Sequence, residues 1–222
     1  MRTKRFAAGI FAVGILGLAC EAAKIVFYDS HISMEWCYSV SRWNYLAYFT
    51  VITNFAVDLW MIVLAITIFA KKERLHVFLT LPQIQGALVL YIGTVSIVYC
   101  VFLFWFIGPF SSNLWWANVI DMWSHLILPA FMFGIWVLTP APKTKIKYHT
   151  LLFWLIPPLV YFILSEIRGL VSDWYPYPFF RPSLIMFPVG ILISITCFVV
   201  VGFLIILLQN RKYKTNLQKK KK

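Results

Sequence analysis

The sequence is short of charge. Only 13% of its 222 residues are Asp, Glu, Lys or Arg, where a soluble domain carries nearer ~25%. A chain that is also 61% hydrophobic and 18% aromatic has too few polar groups to cover a surface facing water. The bilayer is therefore the expected solvent. Period-two alternation is missing, which argues against a transmembrane β-barrel, and the apolar runs are about 20 residues long, as membrane helices require. Cysteine is sparse. Cys20, Cys100 and Cys197 fall in apolar runs and Cys37 in a loop, so neither a disulfide framework nor a C-x-x-C zinc pair is available. There is no internal repeat and no second domain.

Acidic residues are scarcer than basic ones, eight against twenty, for a net charge of +12. Such a balance can signal nucleic acid, but the Lys and Arg residues stand in short clusters between apolar spans, as juxtamembrane segments do. No polar stretch is long enough to build a soluble nucleic-acid-binding domain. The first segment opens with Arg2, Lys4 and Arg5. Its apolar run continues through Glu21 and Lys24 without a small-residue cleavage site, and it reads as a retained helix.

Six spans follow from the apolar runs: residues 6–27, 44–70, 86–107, 118–138, 151–170 and 187–209. The expected fold is an all-α polytopic membrane bundle. Residues 1–210 form one transmembrane domain, and residues 211–222 form a disordered basic cytoplasmic tail. Residues 75–85 read as an interfacial segment, Gly108-Pro109 as a break, and Pro157-Pro158 as a kink. Sixteen of the twenty basic side chains fall on one side of this topology. That side is expected to be the cytoplasm, with both termini in it, and the plasma or inner membrane is the expected location. The tail lysines are expected to meet anionic lipid headgroups.

Ionisable residues inside a span are costly and are functional candidates by default. Glu21, Asp58, Asp121, His125 and Glu166 are of this kind. Thr50, Asn54 and Asp58 recur every four residues and share a helix face; Asn118, Asp121 and His125 do the same at spacings of three and four. Thr50 is about 9 Å from the start of its span and His125 about 10 Å from the start of its own, so their depths match. Asp121 can hold a His125 ring nitrogen, and His125 can take the Thr50 proton, which gives a nucleophile, a base and an orienting acid. Asn54 or Asn118 would donate to an oxyanion, and Glu21, Asp121 and Glu166 would line a watered vestibule. The same residue types also have ordinary roles. Membrane threonines bond the i−4 carbonyl, Glu166 and Arg168 can form an interfacial ion pair, and Cys20 and Cys100 can be small packing residues.

Three motifs carry a resemblance. They are Tyr48-Phe49-Thr50-Val51-Ile52-Thr53-Asn54, His125-Leu126-Ile127-Leu128-Pro129 and Tyr175-Pro176-Tyr177-Pro178-Phe179. In this order they resemble a bacterial family of small membrane proteins labelled Pr-six-Pr. That family is similar to the eukaryotic androgen-induced and androgen-dependent TFPI-regulating proteins, which are intramembrane threonine hydrolases acting on fatty acid esters of hydroxy fatty acids. The resemblance implies Thr50 as nucleophile and His125 as base, a lipid or fatty-acyl ester as substrate, and no cofactor. In the eukaryotic proteins the Thr follows an Arg-Trp pair closely, whereas Arg42-Trp43 here stands a few residues further from Thr50. Related membrane acyltransferases use a cysteine in a similar core, which makes Cys100 an alternative nucleophile. Two other classes remain open: a cation or proton transporter built on Asp58 and the other acids, and a non-catalytic lipid-binding protein.

Overall fold

The computed structural model describes residues 4–27, 42–103 and 115–221. Among these the chain is all-helical, without a strand. Helix α1 spans Lys4–Phe27 and α2 spans Phe49–Phe69; a short α3 covers Glu73–Leu79. Helix α4, Pro82–Val98, runs on into a π-helical turn at Tyr99–Leu103. Helix α5 spans Trp115–Leu138 with a π-helical turn at Trp123–Ile127. Helices α6 (Thr150–Ser172) and α7 (Met186–Lys221) complete the bundle. All but α3 are long and apolar enough to cross a membrane, so the described residues hold six candidate spans, as in a multi-pass membrane protein.

Three boundaries differ from expectation. The second span begins at Phe49, because Arg42–Ala47 winds as a 3₁₀ turn. Tertiary contacts hold that turn: Tyr45 bonds Glu21 on α1, and the Ala47 carbonyl accepts from Tyr161 on α6 at 2.9 Å. The segment 75–85 divides into α3 and the start of α4, with Pro82 in the first turn, where its missing N–H costs nothing. The tail is helical rather than disordered, since α7 runs unbroken to Lys221. No Gly or Pro follows Gly202, and Lys, Arg, Leu and Gln are strong helix formers. Helix α6 also continues through Pro157 and Pro158. Cys37 and Gly108-Pro109 lie outside the described residues.

The core runs between α2, α4 and α5, through Val57, Met61, Leu90, Leu128, Met132 and Trp136. Helix α1 lies along α2, and α4 touches α2, α5 and α7. Small residues let helices approach closely in a membrane, where hydrophobic burial supplies no force between them. At Gly17 the approach of α1 to α2 is close enough that a Cβ there would overlap the Asp58 carboxyl. Helix α6 is tied to α4 by Trp154, which donates to the Gln83 carbonyl at 3.0 Å and accepts from Tyr91 at 2.9 Å. Enclosure is uneven. Over its most apolar stretch α2 is 56% buried and α6 only 11%, so α6 presents Leu152, Phe153, Ile163 and Leu170 outward.

Candidate active site

The first turn of α2 is the natural starting point, because a helix N-terminus leaves backbone N–H groups without partners. Tyr48 precedes α2 and supplies no side-chain cap. Two phenols from elsewhere in the chain do so instead. The Phe49 N–H donates to Tyr161 Oη at 3.1 Å, and the Thr50 N–H donates to Tyr177 Oη at 3.3 Å. Tyr177 belongs to the Tyr-Pro loop, which folds inward and buries Tyr175, Phe179 and Phe180. Gly169 permits this docking, since a Cβ there would overlap the Tyr175 ring. The Thr50 hydroxyl lies 3.4 Å from Tyr177 Oη. Burial pushes the Tyr177 phenol above its ordinary pKa, against the lowering pull of its hydrogen bonds with Thr50. It therefore stays protonated and can donate.

His125 sits in the π-helical turn of α5 and is 9% exposed. Pro129 accounts for the turn. A proline ring clashes with the carbonyl four residues back, here that of His125, and offers it no N–H. Widening the helix over Trp123–Ile127 relieves that clash, and such bulges are frequent at functional sites. The ring is fixed on two sides. Its Nδ1 lies 2.9 Å from the Asp121 carbonyl and 3.3 Å from Asp121 Oδ1, and its face stacks on Tyr99 with centroids 4.0 Å apart. Both Nδ1 neighbours are acceptors, which assigns the proton to Nδ1 and leaves Nε2 a lone pair. Asp121 is itself held by Tyr99, which donates at 2.6 Å, and by Lys24, whose Nζ lies 3.3 Å away.

Thr50 and His125 open into one cavity of about 510 Å³. Its walls come from α2, α4, α6, α7 and the Tyr-Pro loop and are mostly apolar, with Val98, Leu159, Phe162 and Phe198 among them; Tyr99 and Tyr177 also reach it. Thr50 bonds Tyr177 and not His125, so the expected direct bond between Thr50 and His125 is not formed.

The remaining candidates lie elsewhere. Glu21 is 1% exposed and enclosed, and so lines no vestibule. It accepts from Tyr45, from Asn54 Nδ2 at 2.8 Å and from Ser124 Oγ at 3.1 Å. Burial first, and then the Glu21 carboxylate, push the Tyr45 phenol well above its ordinary pKa. The Asn54 amide is thus turned to α1 and away from the cavity, which removes it as an oxyanion donor. Asp58, also enclosed, has neither carboxyl oxygen hydrogen-bonded. Asn118 and Asp121 share α5 with His125 without lining the cavity, and Cys100 is half-buried in the π-helical turn after α4. Glu166 is half-buried, and Arg168 does not pair with it. Instead Arg168 donates to Asn44 Oδ1 at 2.5 Å and lies 4.1 Å over the Trp174 ring.

Sequence reasoning missed Tyr177, Tyr161, Tyr99 and Lys24 as partners of the site. The Tyr-Pro loop was a visible signal for the first, and Pro129 for the backbone at His125; nothing local marks Tyr161 or Tyr99. The isolated cysteines and the acids form no group of metal-ligating side chains among the described residues. No family model, curated protein or solved structure matches the chain.

Proposed function

We propose that this protein is an intramembrane lipid-ester hydrolase in which Thr50 is the nucleophile and His125 the general base. One observation carries the reading. A threonine hydroxyl at a helix N-terminus and a histidine held by a carboxylate open into the same apolar-walled cavity. Long acyl chains suit such walls, and fatty acid esters of hydroxy fatty acids are the substrates that the motif resemblance suggests. The split of basic residues supports a cytoplasmic location for both termini and a site in the opposite leaflet.

The chemistry balances with these groups alone. A substrate carbonyl takes the Tyr177 hydroxyl as its donor, which frees Thr50 Oγ to turn to His125 Nε2. Oγ attacks the carbonyl carbon while Nε2 takes its proton. The resulting imidazolium is stabilised by Asp121 through Nδ1. The oxyanion is stabilised by Tyr177 and by the positive end of α2. The tetrahedral species collapses, Nε2 returns the proton to the leaving alkoxide, and an acyl-threonine remains. Water then attacks with Nε2 again as base, releasing the acid and restoring the Thr50 hydroxyl.

Mass spectrometry of the purified protein treated with a fluorophosphonate tests this. The expected result is an adduct on Thr50, absent from both Thr50→Ala and His125→Ala. No adduct, or one on Cys100, sinks the threonine mechanism and favours cysteine acyl transfer.

A second reading rests on Asp58. Its two unbonded, enclosed oxygens in mid-helix are unusual for a structural residue, and intramembrane acids mark ion and proton paths. Reconstituted liposomes that conduct protons or cations, with flux lost in Asp58→Asn, would favour transport over hydrolysis.

A further inference from the structure

The two ends of the bundle treat their cations differently. On the side poor in basic residues, three cations are matched within the chain. Lys24 pairs with Asp121, Arg168 with Asn44 and Trp174, and Arg181 donates to both Asp173 oxygens at 2.6 and 2.7 Å. On the lysine-rich side sixteen Lys and Arg residues face one acidic side chain, Glu73. Charge of that density needs counterions from outside the chain.

Part of this charge borders a groove of about 560 Å³ between the end of α5 and α7. Phe133, Trp136 and Leu208 form its inner wall; Arg211, Thr215 and Lys219 line its outer part. These last three recur every four residues and so lie along one face of α7. Helix α7 has 36 residues. It is therefore about 54 Å long, against a hydrocarbon core of about 30 Å, and its last turns emerge beyond that core. The groove crosses this boundary, apolar within and basic without.

Lys212 fixes the geometry rather than supplying free charge. Its ammonium donates to the Trp136, Val137 and Thr139 carbonyls at 3.1, 2.8 and 3.1 Å. Those carbonyls close the C-terminal end of α5, where a cation is favoured. Arg211 and Lys219 stay exposed, without an ion-pair partner among the described residues.

We propose that this groove binds an anionic glycerophospholipid of the lysine-rich leaflet. Arg211 and Lys219 take the phosphate, and an acyl chain lies along Phe133, Trp136 and Leu208. A zwitterionic lipid brings its own ammonium to the same place and gains less. Inorganic phosphate has the charge without the chain. The site is independent of the cavity chemistry at the other end.

Native mass spectrometry of the full chain in detergent is the test, with phosphatidylglycerol and phosphatidylcholine of identical acyl chains as probes. The expected result is selective retention of phosphatidylglycerol, with affinity falling about fivefold for each basic residue removed in Arg211→Gln and Lys219→Gln. Asn216→Trp leaves the charge intact and fills the groove; it is expected to abolish the preference. Circular dichroism on each variant establishes that the helices persist. Equal retention of the two lipids overturns the proposal. So does a preference that survives Asn216→Trp, which would mean diffuse surface attraction. Displacement of the lipid by equimolar inorganic phosphate would overturn it as well.

Discussion

Thr50 and Asp58 stand two turns apart on one face of α2, yet they belong to opposite environments. Thr50 opens into a cavity, and its hydroxyl is met by that of Tyr177, which also accepts the Thr50 backbone N–H. Asp58 is pressed against Gly17 of α1, fully buried and with no donor, one turn from a Glu21 that holds three donors. What differs is the neighbouring element. The Tyr-Pro loop and α6 bring phenols to the top of α2, and α1 brings a carboxylate and a glycine to its middle. A shared stripe on a helix therefore says little about shared chemistry until its neighbours are known.

Four substitutions sharpen this contrast. The largest effect is expected at Thr50→Ala, which should lower long-chain ester turnover by ~10⁴-fold while leaving thermal unfolding nearly unchanged. If turnover survives, the cavity end is not a nucleophilic site and the distinction between the two regions loses its meaning. Glu21→Ala should do the reverse. Removing the carboxylate strands Tyr45, Asn54 and Ser124, so a loss of about 3 kcal/mol of stability is expected in detergent unfolding. Tyr177→Phe removes one oxyanion donor. It should lower kcat by about 10²-fold, with a smaller change in KM, in steady-state hydrolysis. The smallest effect belongs to Asp58→Asn. No donor is lost with the carboxylate, so the unfolding temperature should hold or rise, within about 1 kcal/mol. A strong destabilisation there would reveal a partner for Asp58 and join the two regions.

The six spans were legible because each apolar run is long enough to cross a membrane and the basic clusters separate them. Boundaries were less so. The start of α2 at Phe49 is decided by Tyr45 reaching Glu21 and by Tyr161 reaching Ala47, contacts between residues far apart in sequence. The tail was misread because its charge outweighed its helix-forming composition. In the site, Thr50, His125 and Asp121 could be named from residue type and spacing. The diversion of Asn54 to Glu21 and the replacement of the Glu166–Arg168 pair by Asn44 and Trp174 could not, because side-chain competition is settled only in three dimensions.

The borrowed caps of α2 set an order of assembly. Its first turn depends on hydroxyls from residues 161 and 177, more than a hundred positions downstream. During synthesis the second span can enter the membrane while Thr50 is still without its neighbours. The cavity is completed only when the Tyr-Pro loop and the last helix have been made. A chain truncated after the fifth span would hold Thr50 in the bilayer without Tyr177 beside it and without the α7 wall of its cavity.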